Sequence, residues 1–195
     1  MLNQGILYWA TFKDVGKVHV QVVVDILCHL ALANAYTAKF PATPWDLMYG
    51  SILSFYEDLD VSVGTCLTNN GRELCGNLEM HPYELPLAME CIAHRTTKHR
   101  SPRTNRFVER TNCTLLDDCF RVTGRTTCYP EAAEIQRDLD RFLECYNRQR
   151  SHQGQRLNRR TPPHNQMETL NITYLPKLAE EGPAPDAGVS TEAIS

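Results

Sequence analysis

Apolar and polar positions alternate with a two-residue period near the start of the chain, and that pattern predicts strands. Residues 6–12 (ILYWATF) read as a first strand, followed by a turn at residues 14–16. In residues 17–26 Val18, Val20, Val22 and Val24 alternate with His19, Gln21 and Val23, which predicts a second strand. Residues 30–39 form a third β-like run, although its alanines suit a helix too. Short turns between the three imply an antiparallel meander. The period then changes. Trp45, Met48, Ile52, Tyr56 and Leu59 recur three and four apart, so they line one face of a helix, with Thr43 as its cap and Pro44 at its first position. Residues 61–68 read as a fourth strand ending in an Asn-Asn-Gly turn, residues 82–91 as a short helix, and residues 92–98 as a fifth strand. Two longer helices close the pattern, at residues 105–120 and 130–147; in the second, Ile135, Leu139, Phe142 and Tyr146 share a face. Three strands, then helix, strand, helix, strand and helices give a mixed α/β order.

Composition adjusts this picture in three ways. The chain has 195 residues, 42% of them hydrophobic, enough for one domain with a real core. No stretch approaches the roughly 18 uncharged apolar residues of a bilayer span, and Met1 does not open onto a basic and apolar leader, so a soluble, cytoplasmic protein is expected. The eight cysteines include no C-x-x-C pair, so they read as reduced thiols; a zinc or redox protein would rest on their number alone. The net charge of −3 conceals a division. Residues 1–91 carry 4 Lys/Arg against 10 Asp/Glu, residues 92–160 carry 15 against 8, and residues 161–195 carry 1 against 5. The middle block suits a polyanion, or is a solvated charged face.

Candidate chemistry follows from two acids and the cations near them. Asp25 ends a run of valines; a carboxylate there is costly unless it is paired, holds a metal, or reaches solvent where the strand ends. Glu109 lies on the predicted helix of residues 105–120. At 100° per residue Asn105, Glu109 and Asn112 fall within about 60° of one another, while Val108 and Leu115 lie on the packing side. Arg95, Lys98, Arg100, Arg103, Arg106 and Arg110 surround it, either as an ion-pair network or as a phosphate track with one acid in it. A second cluster, Arg148, Arg150, Arg156, Arg159 and Arg160, contains no acid.

Four segments together carry a resemblance: VVVDI (residues 22–26), LTNNGREL (67–74), SPRTNRFVER (101–110) and YNRQRSHQGQR with the following RRTP (146–162). In their order and spacing the chain resembles the integrase-core transposases of bacterial insertion sequences, part of the retroviral-integrase-like superfamily, over about residues 6–166. The resemblance implies a ribonuclease-H-like fold, a mixed five-stranded sheet flanked by helices with a C-terminal helical extension. Residues 1–166 would form the core and residues 167–195 a mostly disordered acidic tail. It also implies a DNA partner, homo-oligomers, no membrane, and two divalent ions, Mg²⁺ or Mn²⁺, held by an Asp-Asp-Glu triad. Those ions would assist attack of water or a 3′-hydroxyl on phosphodiesters. The triad maps to Asp25, position 69 and Glu109, and position 69 is Asn, 40 residues before Glu109. The DNA contacts would be Arg95, Lys98, Arg100, Arg103, Arg106, Arg150, Arg156 and Arg159, mostly to phosphates.

The amide at Asn69 is serious for such chemistry. Two dications about 3.5–4 Å apart repel unless carboxylates neutralise them, and Asn offers only one neutral oxygen. Weak metal binding and impaired transfer are expected, because phosphoryl transfer rests on positioning and electrostatics. Glu73, four residues on, is no replacement. Arg106, Thr111 and Leu74 stand where the family usually has Gly, Phe and Phe, and the chain begins at the core with no helix-turn-helix before it. Two readings follow: an impaired transposase core, or an inactive DNA-binding or interaction remnant of one.

Overall fold

The computed structural model of the protein describes residues 1–77, 80–97, 105–122 and 128–148. Strands β1 (Leu2–Phe12), β2 (Gly16–Asp25) and β3 (Ala31–Tyr36) come first. Helix α1 starts at Thr43–Leu47, widens to a π-helical stretch at Met48–Leu53 and finishes at Ser54–Glu57. Strand β4 (Thr65–Thr68), helix α2 (Glu84–Met89) and strand β5 (Ala93–Thr96) follow. Helix α3 (Arg106–Thr114) also widens, at Leu115–Phe120, and α4 spans Ala132–Arg148. The sheet order is β3-β2-β1-β4-β5. The first three strands pair antiparallel, and β1–β4 and β4–β5 pair parallel. This is the mixed five-stranded sheet that the resemblance implies, built from the five strands that the period of the sequence predicts.

Side-chain parity divides the core into two layers, because neighbouring residues of a strand point to opposite faces. Leu7, Val20, Val22, Val24, Ala31 and Ala33 pack against Val108 and Leu115 of α3 and Leu139 and Leu143 of α4. Leu2, Val23 and Cys66 pack on the other face against Leu47, Met48, Ile52 and Tyr56 of α1 and Leu87 of α2. Trp9 stacks on Phe120 with ring centres 4.0 Å apart and meets the edges of Phe12 and Tyr129, closing one end of the α3–α4 layer.

Three boundaries depart from expectation for identifiable reasons. β1 begins at Leu2, four residues before the expected start, because it is the central strand: Asn3, Gln4 and Gly5 pair with Val24, Val23 and Val22 of β2, and Asn3 and Gln4 also with Leu67 and Thr68 of β4. Pairing on both sides overrides their weak strand preference. β4 is shorter than expected, with residues 61–64 outside any strand. Thr43 is the first helical residue of α1 and not its cap; its hydroxyl donates to the Phe40 carbonyl (2.9 Å) and accepts from Gln21 Nε2 (3.1 Å). The expected core boundary at residue 166 and the acidic tail lie outside the described residues.

The exposed edge of the sheet at β3 is closed by side chains of α4. Asn147 accepts from the Ala31 N–H (3.0 Å) and donates to its carbonyl (2.8 Å). Gln136, three turns earlier, accepts from the Ala35 N–H (2.7 Å) and donates to the Ala33 carbonyl (3.3 Å). The two carboxamides imitate a sixth strand, which protects an edge from pairing with another chain.

Candidate functional site

The three expected ligands do not stand together. Asp25, the last residue of β2, has the parity of Val23 and faces α1. It is 7% exposed. Its Oδ2 accepts a short hydrogen bond from the Tyr56 hydroxyl of α1, and its Oδ1 accepts from the Leu27 N–H at 2.7 Å. Burial and the Asp25 charge together push the Cys28 thiol up to about 12 and raise the Tyr56 hydroxyl well above its ordinary value, so both stay protonated. Asp25 is therefore neither at solvent nor open to a metal. It fastens the β2–β3 turn to α1.

Glu109 is carried on the opposite face. Two side chains of α3 fix its direction. Phe107 meets the His29 ring with centres 5.1 Å apart, beyond the end of β2, and the Thr111 hydroxyl lies 3.4 Å from that of Tyr146 in α4. Each stands two residues, about 200° of helix rotation, from Glu109. Glu109 thus points away from the β2–β3 turn and α4, and is exposed. The sheet itself separates it from Asp25, which corrects the expected Asp25–Asn69–Glu109 cluster: a triad needs its members on one face.

Asn69 does belong to the Glu109 face. It follows Thr68, the end of β4, in the parity of Leu67. Its Oδ1 accepts from the Gly71 N–H at 3.0 Å, and its carbonyl accepts from the Cys75 thiol (3.3 Å) and the Thr68 hydroxyl (3.0 Å). The Asn-Asn-Gly turn is thus held by the Asn69 amide, and a Cβ on Gly71 would meet Glu73 Oε1 at 2.6 Å, which puts the Glu73 carboxylate beside the turn. Glu73 pairs with Lys39 at 3.0 Å and is engaged elsewhere.

Between Asn69 and Glu109 runs the start of β1, where the hydrophobic pattern gave no strand. Gln4 faces α1 and α2: it donates to the Pro44 carbonyl at 3.0 Å and accepts from the Tyr83 hydroxyl at 2.5 Å. Asn3 and Gly5, of opposite parity, face α3. A Cβ on Gly5 would stand 3.1 Å from Val108 Cγ1 and 3.9 Å from Asn112 Nδ2. Asn105 reaches the Gln4 carbonyl through Nδ2 at 3.4 Å. Both amide atoms of Asn3, together with Oδ1 of Asn105 and of Asn112, are buried without a hydrogen-bond partner among the described residues. The face is rich in carboxamides, with Glu109 on it and the Lys39-paired Glu73 carboxylate beside its Asn69 edge. A polar start to a strand that then turns apolar was the signal available for Asn3 and Gly5.

Of the expected DNA contacts, Arg95 and Arg106 are described. Arg95 of β5 lies opposite Leu67 and so shares the face of Asn69; Arg106 opens α3 one turn before Glu109, its guanidinium 5.5 Å over the Phe107 ring. Both are exposed. Lys98, Arg100, Arg103, Arg150, Arg156 and Arg159 lie outside the described residues. Among the described residues no group of three or more His, Cys, Asp or Glu is placed to hold a metal ion. The chemistry agrees: a pair of Mg²⁺ or Mn²⁺ ions demands several carboxylate oxygens on one side, and Glu109 with an already engaged Asn69 amide does not fit them. None of the eight cysteines is in a disulfide, and among the described residues no helix is long and apolar enough to cross a membrane.

Comparison with known proteins places this geometry in context. Residues 90–162 match the integrase core domain family. No curated protein matches the chain. Among solved structures it is similar to a chain of the simian T-cell lymphotropic virus intasome in complex with PP2A regulatory subunit B56 gamma, at 17% identity and a TM-score of 0.64, over 99% of this chain and 59% of that one. The chain thus spans 59% of that relative's length. It is also similar to the catalytic core domain of BIV integrase (16% identity, TM-score 0.61, 87% of this chain and 95% of that). A third is the HTLV-2 integrase catalytic core domain in complex with magnesium, in a trimeric form (13%, 0.60, 84% and 93%). The fold is the ribonuclease-H-like fold of integrase cores.

Proposed function

We propose that the chain is the integrase core of a DNA transposase of the bacterial insertion-sequence type, working in the cytoplasm, that keeps a DNA-facing surface while its metal-dependent strand cleavage and transfer are lost or strongly impaired. One observation carries the reading: the face bounded by Asn69, Gly5 and Glu109 has the cations Arg95 and Arg106 beside it, while of the carboxylates described there Glu73, next to Asn69, is taken up by Lys39 and Glu109 is left. Phosphates are attracted to such a face, whereas an in-line displacement lacks the charge that would neutralise two ions. The magnesium in the HTLV-2 core and its dimeric and trimeric forms support a metal-using, self-associating ancestry. In this chain DNA binding and association between copies outlast the chemistry.

The test is a pair of measurements on the full chain. Duplex DNA binding is measured from low to high salt, and cleavage and strand transfer of a labelled oligonucleotide are followed in Mg²⁺ and in Mn²⁺. Binding is expected at low salt with log K falling by several units per unit of log [salt], and no metal-dependent product is expected. Salt-independent binding, or none at low salt, removes DNA as the partner; metal-dependent cleavage overturns the loss of chemistry.

A further inference from the structure

The metal that the fold implies and the residues of this chain disagree at a definite place, and the register of β1 identifies it. β1 pairs with β4 as far as Gln4 and Thr68, so the next residues on the two strands, Gly5 and Asn69, stand level with each other. The parity of β1 turns Gly5 toward α3, and Val108, the neighbour of Glu109, sits directly on it. Asn3, two residues earlier on the same face, is 1% exposed, and Leu7, two residues later, is sealed in the core. Gly5 is itself buried beneath Val108, but it is the β1 residue level with Asn69 on the α3 face, so a side chain there would extend toward the space between Asn69 and Glu109.

A second, independent observation marks that space as polar by construction. Four amide atoms around Gly5, both of Asn3 and one each of Asn105 and Asn112, are buried without a partner among the described residues. Unpaired buried polar atoms are costly, and a protein retains them where a polar group or ligand completes them. Glycine itself is a poor choice within a central strand and supplies nothing to these amides.

We infer that this chain lacks two carboxylates at its ion-binding face, at Gly5 and at Asn69, and that Asp25 is no part of that face. Gly5→Asp with Asn69→Asp would place three acids together, and neither change alone would. The inference rests on the proposed integrase-core reading and extends it to residues of this chain.

Mg²⁺ and Mn²⁺ alone are the probes, followed by calorimetric titration of the full chain and by the electron paramagnetic resonance of bound Mn²⁺. Wild type and Asn69→Asp are expected to show no saturable binding. Gly5→Asp/Asn69→Asp is expected to bind saturably, with a Kd at least about tenfold below the highest ion concentration at which Asn69→Asp shows no saturation, and Glu109→Gln in that background to abolish the gain while Asp25→Asn leaves it. Because a Cβ at position 5 crowds Val108, the same pair is also made with Val108→Ala, and circular dichroism verifies that each variant is folded. Saturable binding by wild type that Asp25→Asn removes overturns the inference. So does binding by Asn69→Asp equal to that of the double variant, or a folded double variant, with or without Val108→Ala, that binds no ion. Metal-free DNA binding by wild type is read separately, so failure of the ion inference and failure of the DNA-binding reading are distinguished.

Discussion

At the scale of single residues, the carboxylate at the end of β2 shows how one side chain admits two opposite readings. Asp25 ends a valine run, and from the sequence its charge called for a metal, a partner or solvent. The partner is Tyr56, 31 residues away on α1. Nothing local in VVVDI announces it, because a tyrosine on the apolar face of a helix reads as core until the helix is docked. The turn at Asn69 and the helix that carries Glu109, in contrast, were legible as local structure, because a turn and a helix face depend on neighbours in sequence. Tyr56→Phe deletes the hydroxyl and leaves the buried Asp25 carboxylate with the Leu27 N–H and the Cys28 thiol. A loss of about 1–3 kcal/mol is expected, read as a lower midpoint in urea unfolding. An unchanged midpoint would show that Asp25 finds water as readily as it finds tyrosine.

At the scale of elements, the periodicity placed the five strands and four helices of the described residues, and it failed where tertiary pairing decides. The first three residues of β1 are strand because β2 and β4 hold them on both sides, and Gly5 follows in the β2 ladder; no window of sequence contains those partners. That failure hid Gly5, since a residue outside any predicted strand has no face. The closure of the β3 edge was equally hidden, because Gln136 and Asn147 look like polar positions on an amphipathic helix. Asn147→Ala is expected to destabilise the fold by about 2–4 kcal/mol, since it strands the Ala31 N–H and carbonyl at once. Asn147→Leu, which fills the space without the bonds, should lose as much. Thermal melts of the two variants test whether hydrogen bonding or packing holds α4 to the edge; recovery in the leucine variant would favour packing.

At the scale of the whole molecule, the two layers respond differently to pH. His94, on the α2 side of the sheet, is enclosed by Thr68 (2.8 Å), the Tyr83 ring and Glu84 (3.8 Å). Burial holds its pKa below the ordinary 6.5; the Glu84 charge opposes that shift and His81 adds to it. The unfolded chain then takes up this proton more readily than the folded one. Stability attributable to His94 is present above pH 6.5 and is lost as pH falls below it. His19, lowered in the same direction chiefly by burial, adds to the effect. The melting temperature is expected to fall between pH 7 and pH 5.5, and to fall less in His94→Gln. An equal fall in the variant would assign the loss to other groups.

The amides that close the β3 edge also impose an order on biosynthesis. Ala31 and Asn147 are 116 positions apart. The ribosome therefore releases the three-strand meander, with its outer backbone bare, long before the helix that shields it leaves the exit tunnel. At ~5–20 residues per second that interval lasts about 6–23 s. During it the nascent chain presents an adhesive border to its siblings on the same polysome, and a holding chaperone, or slow crowding on the message, governs how much of the protein survives to enclose its own sheet.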